Sequence, residues 1–212
     1  MELINPRAES YAELHSTPEE MLLAEIAGFT RQHHSQPHML SGHLQGKFLE
    51  MVSWMIRPRR ILEIGTFTGY SALCLAKGLA SDGELHTIEL REEDAEKAKQ
   101  FFNASLDGPR IISHTGNALQ VIPTINETWD LVFIDADKVS YKEYFNLIMP
   151  KVRQNGFILA DNIFFHGQVL ENDPKNKSAK AIQSFNEFVR DRGDIDKMVL
   201  TLRDGLYLIR KL

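Results

Sequence analysis

The stretch that decides the fold is RILEIGTFTGYSALCLAKGL, residues 60–79. It opens on a short run rich in large aliphatic residues, which is typical of a strand buried in a sheet. Gly65 and Gly69 then mark a turn, and apolar residues recur at helical spacing from Tyr70 onward. The stretch predicts a strand, a turn and a helix, the unit from which parallel sheets are built.

The same order of strand, turn and helix recurs along the chain. Each further strand pattern precedes a helical one: ELHTIEL at 84–90, RIISHT at 110–115, DLVFID at 130–135 and GFILAD at 156–161. The last sixteen residues differ, because two strand-like runs are joined at Asp204-Gly205, a strong hairpin signal. We therefore predict an α/β fold, with a doubly wound, mostly parallel sheet of seven strands that ends in an antiparallel hairpin.

Two helices are predicted before the first strand. The motif STPEE, at residues 16–20, has the features of a capping box and predicts a helix over about 18–32. A second helix is predicted to start near Ser41 and to stop before Pro58. We expect this segment, about 1–57, to contribute to the ligand pocket.

Composition limits the class of protein. A chain of 212 residues that is 43% hydrophobic can bury one core, so we predict a single domain over residues 1–212. The net charge of -5 and the scattered basic residues disfavour nucleic acid as a partner. The single cysteine, Cys74, excludes an internal disulfide and fits a reducing compartment. The charged amino terminus and the lack of a long apolar stretch predict a cytoplasmic protein without a membrane partner.

Open α/β sheets bind ligands beyond the carboxyl ends of their strands. Glu63 and Gly65 end the first strand, and Ser71 lies near the start of the next helix, where small residues and free backbone N–H groups allow a ligand to approach. Phe67 occupies the place of the middle glycine of a dinucleotide fingerprint. That substitution disfavours a pyrophosphate-containing cofactor such as NAD.

Glu89 closes the second strand pattern, twenty residues after Gly69. A carboxylate there can accept hydrogen bonds from both hydroxyls of a ribose. Taken alone, Glu89 could equally be a solvated acid at a strand end. Together with the glycine turn, it favours a nucleoside cofactor that lacks a pyrophosphate.

The fourth and fifth strands end in Asp135 and in Asp161 with Asn162. Carboxylate and amide oxygens suit Mg²⁺ or Ca²⁺ and suit Zn²⁺ poorly. An alternative is that these residues cap the helices that follow. Since neighbouring strands lie about 5 Å apart, residues at two adjacent strand ends can converge on one ion. The pair of strand ends therefore favours a site for a divalent cation.

Several motifs together resemble a known family. EIGTFTGYS, the acid of TIEL, FIDADK and ADN occur in this order, preceded by YAELHSTPE and MLSGHLQGKFL and followed by DGLYLIRK. The sequence is similar to the cation-dependent O-methyltransferases of the caffeoyl-CoA and catechol type, which use S-adenosylmethionine. This resemblance, which covers nearly the whole chain, implies a Rossmann-like methyltransferase fold, an aromatic acceptor with vicinal hydroxyls, and a homodimer.

The resemblance also implies roles for individual residues. The implied contacts of the methionine part of the cofactor are Ser41, Glu63, Gly65, Phe67 and Ser71. Glu89 would hold the ribose, while Asn117 and Ala118 would border the adenine, although the family often has an acid at the position of Asn117. The implied metal ligands are Asp135, Asp161 and Asn162, with Asp135 also near the cofactor. Lys138 matches the general base.

The chemistry accounts for these residue types. A phenol has a pKa near 10 and is mostly neutral at pH 7. A divalent cation chelated by two adjacent hydroxyls stabilises the phenolate and orients its oxygen toward the methyl group. Lys138 could take the proton if the cation and partial burial lower its pKa. Asp137 either supports the metal ligands or caps the following helix.

Other interpretations stay open at this point. A metal-dependent hydrolase would use the same acids but would not need Glu89, and a non-catalytic S-adenosylmethionine-binding protein would not need Lys138. The histidines around residues 33–43 have spacings that match no compact metal site, so we expect a solvated segment over the crevice. The residues predicted for the wall of the acceptor pocket are Phe164, Phe165 and His166.

Overall fold

A single sheet organises the computed structural model, which describes residues 4–212 and leaves the first three residues of the amino-terminal segment outside the described part. Its strands are β1 (Arg60–Ile64), β2 (Glu84–Glu89), β3 (Ile111–Thr115), β4 (Trp129–Ile134), β5 (Val152–Asp161), β6 (Ile195–Leu200) and β7 (Leu206–Lys211). Their order is β3-β2-β1-β4-β5-β7-β6. The first five strands pair in parallel, and β7 is antiparallel to both β5 and β6. The predicted fold class is confirmed.

Helices cover both faces of this sheet. They are α1 (Pro6–Leu14), α2 (Met21–His33), α3 (His43–Ile56), α4 (Tyr70–Ala76), α5 (Glu92–Asn103), α6 (Ala118–Val121), α7 (Tyr141–Ile148) and α8 (Lys177–Arg190). In β4, Val132 and Ile134 pack into the core beneath α6, α7 and α8, while Leu131 and Phe133 pack into the core beneath α2 to α5. Burial on both faces explains why this strand is continuously apolar.

The amino-terminal helices differ from the prediction. Helix α2 begins at Met21, and its N-cap residue Glu20 makes no capping hydrogen bond, so the predicted capping box is wrong. The side chains of this motif are engaged elsewhere, because Glu19 accepts a hydrogen bond from the hydroxyl of Tyr70 and Glu20 pairs with Lys77. Helix α1, which was not predicted, is capped by Asn5 and has no buried residue.

Other boundaries follow from the backbone. Helix α3 begins only at His43, after Gly42 in the left-handed region, so Ser41 lies in the preceding loop and not in the helix. The predicted helix after β3 is one short turn, α6, continued by a 3₁₀ turn. The β6–β7 connection covers residues 201–205 and is longer than a two-residue hairpin. No helix among residues 4–212 is long and apolar enough to cross a membrane.

Candidate active site

A cavity of about 600 Å³ opens at the carboxyl edge of the sheet. The strand order reverses between β1 and β4, which is where open α/β sheets form their ligand crevice. All but one of the predicted site residues line this cavity: Ser41, Gly65, Phe67, Ser71, Glu89, Asn117, Ala118, Asp135, Lys138, Asp161 and Asn162. The exception is Glu63, which is fully buried behind it.

The turn after β1 brings two strand ends into close contact. Gly65 has φ +102°, and a Cβ atom there would lie 1.9 Å from the carbonyl oxygen of Asp135. Only glycine fits this position without a shift of the backbone. Phe67 also lies in the left-handed region, at φ +50°, and its ring packs edge-on against His34 at 4.5 Å between centroids. The turn is therefore held tightly from both sides.

Glu89 is oriented by backbone donors. The amide of Phe67 donates to its Oε2 at 2.7 Å, and the amide of Arg91 donates to its Oε1 at 3.0 Å. Each carboxylate oxygen keeps further acceptor capacity. Glu89 is buried yet lines the cavity, so its carboxylate is presented in a defined orientation for hydroxyl donors.

Glu63 supports the site from behind. Thr87 donates a hydrogen bond of 2.5 Å to its Oε2, while its Oε1 has no partner among the described residues. Burial raises the pKa of Glu63 to about 8, although the nearby hydroxyls of Ser71 and Thr87 oppose the shift. Glu63 therefore lies one layer behind the cavity-lining Ser71.

At the part of the site predicted to border the adenine, Asn117 is the N-cap of α6. Its Oδ1 accepts a hydrogen bond from the amide of Leu119 at 2.9 Å, so its side chain is engaged with its own helix. Gly116, at φ +141°, and Ala118 complete this part of the wall. The cavity wall at the end of β3 therefore consists of small side chains and of an amide that is already hydrogen-bonded.

The three predicted metal ligands meet at the ends of β4 and β5. Asp161 is 2% exposed, and its carboxylate accepts from the Asn162 amide at 2.8 Å and from Nε2 of Gln45 at 2.7 Å. Burial and then the charge of Asp135 raise the pKa of Asp161 to about 7. The side-chain nitrogen of Asn162 points to Asp204 at 3.4 Å, which leaves its Oδ1 available as a ligand.

Sequence reasoning missed Gln45, which is 1% exposed in α3. The available signal was a polar residue in the otherwise apolar face of MLSGHLQGKFL. A buried amide needs hydrogen-bond partners, and these partners lie on distant segments of the chain. The sequence pattern alone could not name them.

Lys138 lies beside the metal ligands. Its Nζ donates to Oδ1 of Asp135 at 2.7 Å and to the hydroxyl of Tyr141 at 2.9 Å. Burial favours the neutral amine, but the negative charges of Asp135 and Asp161, together with the hydrogen bond to Asp135, outweigh it and raise the pKa of Lys138. This direction is opposite to the expected one, because the carboxylates here carry no counter-charge other than Lys138.

The remaining candidates are Asp137 and the residues predicted for the wall of the acceptor pocket. Asp137 accepts a hydrogen bond from Ser140 at 2.7 Å and caps no backbone amide. Of the residues predicted for the acceptor wall, Phe165 and His166 line the cavity. Phe164 does not line it, because its ring packs where a Cβ atom of Gly205 would lie, at 2.4 Å.

The four amino-terminal histidines have separate contacts. His34 Nε2 lies 3.2 Å from Asp94, while His43 contacts the carbonyl oxygen of Thr17 at 2.7 Å. His33 contacts the carbonyl oxygen of Phe29, and His38 lines the cavity. These four side chains therefore do not share one centre.

Comparison with known proteins places the chain in a family. The sequence model described as O-methyltransferase matches residues 13–212. A catechol O-methyltransferase of Niastella koreensis is 30% identical over 74% of this chain and 73% of its own length. The O-methyltransferase ankF of Aspergillus thermomutatus is 31% identical over 95% of this chain and 91% of its own.

A solved structure shows the same architecture with a cofactor bound. The O-methyltransferase TomG of Streptomyces achromogenes, in complex with S-adenosylmethionine, superimposes with a TM-score of 0.89. It is 28% identical, and the match covers 97% of this chain and 96% of TomG. Fold, cavity and sequence likeness agree, and the chain belongs to the O-methyltransferase family as an S-adenosylmethionine-dependent enzyme.

Proposed function

We propose that this enzyme transfers a methyl group to one of two vicinal hydroxyls of a catechol-like or caffeoyl-like acceptor that is chelated by a divalent cation. The observation that carries this proposal is the carboxylate of Asp161, buried against the cavity with only neutral hydrogen-bond donors and with Asp135 beside it. Burying two carboxylates together is costly unless a cation stabilises them.

The residues present fit such an ion. Asp135 and Asp161 supply carboxylate oxygens, and Asn162 supplies an amide oxygen, since its nitrogen is directed to Asp204. This all-oxygen set suits Mg²⁺ first and Ca²⁺ as the alternative. When bound, the ion would stabilise the phenolate form of the acceptor and fix the position of its hydroxyls.

The cofactor has its own part of the cavity. We assign its ribose to Glu89, its methionine part to Ser41, Gly65, Phe67 and Ser71, and its adenine to the wall formed by Asn117 and Ala118. Glu63 acts on this group through the wall and not by direct contact, because it does not reach the cavity surface. The carboxylate of Glu89 supports this assignment, since two backbone amides hold it in place.

Lys138 is assigned as the group that takes the acceptor's proton. Its amine lies within 2.7 Å of Asp135 and therefore next to the proposed position of the hydroxyls. Its charge offsets only part of the charge of the two carboxylates, and the amine becomes available as a base only when another positive charge takes over that role. The hydroxyl of Tyr141 orients the amine from the other side, at 2.9 Å.

A direct experiment measures methyl transfer from S-adenosylmethionine to a panel of catechols and caffeoyl derivatives with Mg²⁺, with Ca²⁺ and with EDTA. Transfer that EDTA abolishes and Mg²⁺ restores is the expected result. Transfer that EDTA leaves unchanged would remove the cation from the mechanism. Ester hydrolysis without S-adenosylmethionine would favour the hydrolase, and cofactor binding without any transfer would favour a non-catalytic binding protein.

We also infer a homodimer, with the first three helices as its contact surface. Large apolar side chains are exposed there: Tyr11, Leu14, Met21, Met51, Trp54 and Met55. Exposed apolar patches mark interaction surfaces on proteins of this size. Light scattering should give about twice the mass of one chain, and Met55→Glu should lower it, whereas a monomeric wild type would contradict the assignment.

A further inference from the structure

Arg203 lines the cavity, and the proposed mechanism assigns it no role. It lies in the connection between β6 and β7 and lines both the cavity and a smaller adjoining pocket. Its backbone has φ +48°, in the left-handed region that non-glycine residues rarely adopt. This backbone conformation belongs to the turn that joins the two strands and places the side chain at the cavity.

The guanidinium of Arg203 is held by neutral partners. Its Nη1 donates to Oε1 of Gln45 at 2.9 Å and to the carbonyl oxygen of Ser41. No carboxylate among residues 4–212 forms an ion pair with it, whereas the other long cations of the cavity wall, Lys138 and Arg91, are both paired. Arg203 therefore presents an uncompensated positive charge with donors to spare.

The nearest acid does not neutralise this charge. The carboxylate of Asp204 is engaged by the backbone amide of His166 at 2.6 Å and by the side chain of Asn162. Glu9 and Glu13 line the adjoining pocket and not the cavity. His38 and His166 are among the residues that line the cavity. This end of the cavity therefore suits a negative group.

The distance from the proposed cation also fits. Gln45 bridges the two, since its Oε1 accepts from Arg203 and its Nε2 donates to Asp161 at 2.7 Å. One side-chain amide spans the gap, so Nη1 and the Asp161 carboxylate are separated by roughly 8 Å at most. A catechol ring with a short acidic arm has its hydroxyls and its carboxylate at a comparable separation.

We propose that Arg203 binds a carboxylate on the methyl acceptor, so that the enzyme selects dihydroxyaromatic acids over neutral and cationic catechols. This inference rests on the proposed function and names its substrate class. An Arg–carboxylate pair is charge-assisted and can be bidentate, and Arg203 keeps Nε and Nη2 free for it. A catecholamine would instead place its ammonium against this guanidinium.

The test compares an acidic acceptor, 3,4-dihydroxycinnamate, with its neutral methyl ester, and includes dopamine as a cationic catechol. The measured quantity is the ratio of kcat/KM for the acid to that for the ester. In the wild type this ratio should favour the acid, and Arg203→Met should lower it by about 10- to 100-fold, the factor expected for one charge-assisted hydrogen-bonded pair. Arg203→Lys should restore part of it.

The ratio of the two kcat/KM values distinguishes recognition of the acceptor's carboxylate by Arg203 from a role in which Arg203 only supports the structure of the site. If Arg203 only held Gln45 in place, Arg203→Met would lower both kcat/KM values equally and leave the ratio unchanged, which would overturn the proposal. The matched control is Arg210→Met, which removes an exposed arginine paired with Asp196. Its ratio should equal that of the wild type.

Failure of the proposed function would look different. Turnover of the neutral ester, and its loss in EDTA, tests that function without reference to Arg203. Calorimetric binding of the acid and of the ester to the enzyme with S-adenosylhomocysteine gives a second readout, which does not require turnover. Equal affinity of wild type and Arg203→Met for the acid would reject the carboxylate site whether or not methyl transfer occurs.

Discussion

The acidic residues at the two edges of the sheet have different partners. At the amino edge, Arg60 lies between Glu127, at 3.0 Å, and Glu84, at 3.7 Å, and Arg153 pairs with Asp130 at 2.5 Å. At the carboxyl edge, the carboxylate of Asp161 accepts hydrogen bonds from uncharged donors only, and Lys138 pairs with Asp135. Glu89 accepts from two backbone amides and has only a long ion pair with Arg91, at 3.8 Å. The same strands therefore have neutralised acids at one end and acids left open to a cavity at the other.

We interpret the arginine-paired acids of the amino edge as structural and the acids that face the cavity as functional. Glu84, His86 and Glu127 have ligand-type atoms within 4.8 Å of one another, the only such group of three among residues 4–212. Because Arg60 already pairs with Glu84 and Glu127, the two carboxylates of this cluster do not require a metal ion. Partly exposed ion pairs of this kind contribute little to stability and cost little. Buried acids without a cation are costly, and such sites persist where a ligand uses them.

The largest expected effect comes from removing a carboxylate at the open edge. Asp161→Ala should lower cation-stimulated kcat/KM by at least about 10³-fold, because a metal contributes several kcal/mol of transition-state stabilisation. S-adenosylmethionine affinity, measured by calorimetry, should change little. The control Asp130→Ala, at the amino edge, should lower the melting temperature but retain turnover. Equal activity of Asp161→Ala and the wild type would exclude the proposed cation site.

Lys138→Met is the next largest. Loss of a general base typically costs about 10²- to 10⁴-fold in rate, and we expect the loss in kcat with little change in S-adenosylmethionine affinity. Lys142→Met is the matched control, since Lys142 lies one turn further on and donates to Ser184 at 2.6 Å. Single-turnover kinetics would measure the chemical step. Similar rates for both variants would leave Lys138 with a purely electrostatic role.

Glu89→Gln tests the cofactor side of the same edge. Replacing the carboxylate by an amide should weaken S-adenosylmethionine binding by about 10- to 100-fold, the scale of hydrogen bonds to a charged group. Glu127→Gln, which alters an acid at the amino edge, should leave the dissociation constant unchanged. Titration calorimetry of both variants gives the comparison. Identical affinities of Glu89→Gln and of the wild type for S-adenosylmethionine would mean that the ribose is held elsewhere.

The smallest expected effect is a pH dependence of stability that arises from a pair of histidines on β2 and β3, away from the cavity. His86 and His114 contact each other at 3.0 Å, and burial lowers the pKa of each below the ordinary value of 6.5. The folded state therefore binds fewer protons than the unfolded one, so their contribution is complete above about pH 6.5 and is lost as the pH falls.

Melting temperatures between pH 7.5 and 5 would measure this loss. We expect a decrease of a few degrees in the wild type and a smaller one in His86→Gln, in which one titrating group is absent. Methyl transfer at pH 7.5 should be the same in both, since neither His86 nor His114 lines the cavity. Parallel curves for the two proteins would assign the pH dependence to other groups.

Local sequence was sufficient where the signal is local. The alternation of strands and helices, the glycine turn at Gly65 and the acids at the ends of β2, β4 and β5 could all be read from the sequence. The helix start at Met21 could not, because Glu19 and Glu20 of the capping motif are engaged by Tyr70 and Lys77 from a distant segment. Long-range contacts override local propensity in such positions.

The sequence by itself determined the α/β class, the edge of the sheet that holds the cavity and the residue types of the proposed cofactor and cation sites, because periodicity and strand-end chemistry are properties of short segments. Only the tertiary structure decided that Glu63 lies behind the cavity, that Lys138 is held by Asp135 and Tyr141, and that Gln45 joins Arg203 to Asp161. The physical reason is that burial and the charge around a group are set by residues far apart in the chain, which meet only when both faces of the sheet are packed.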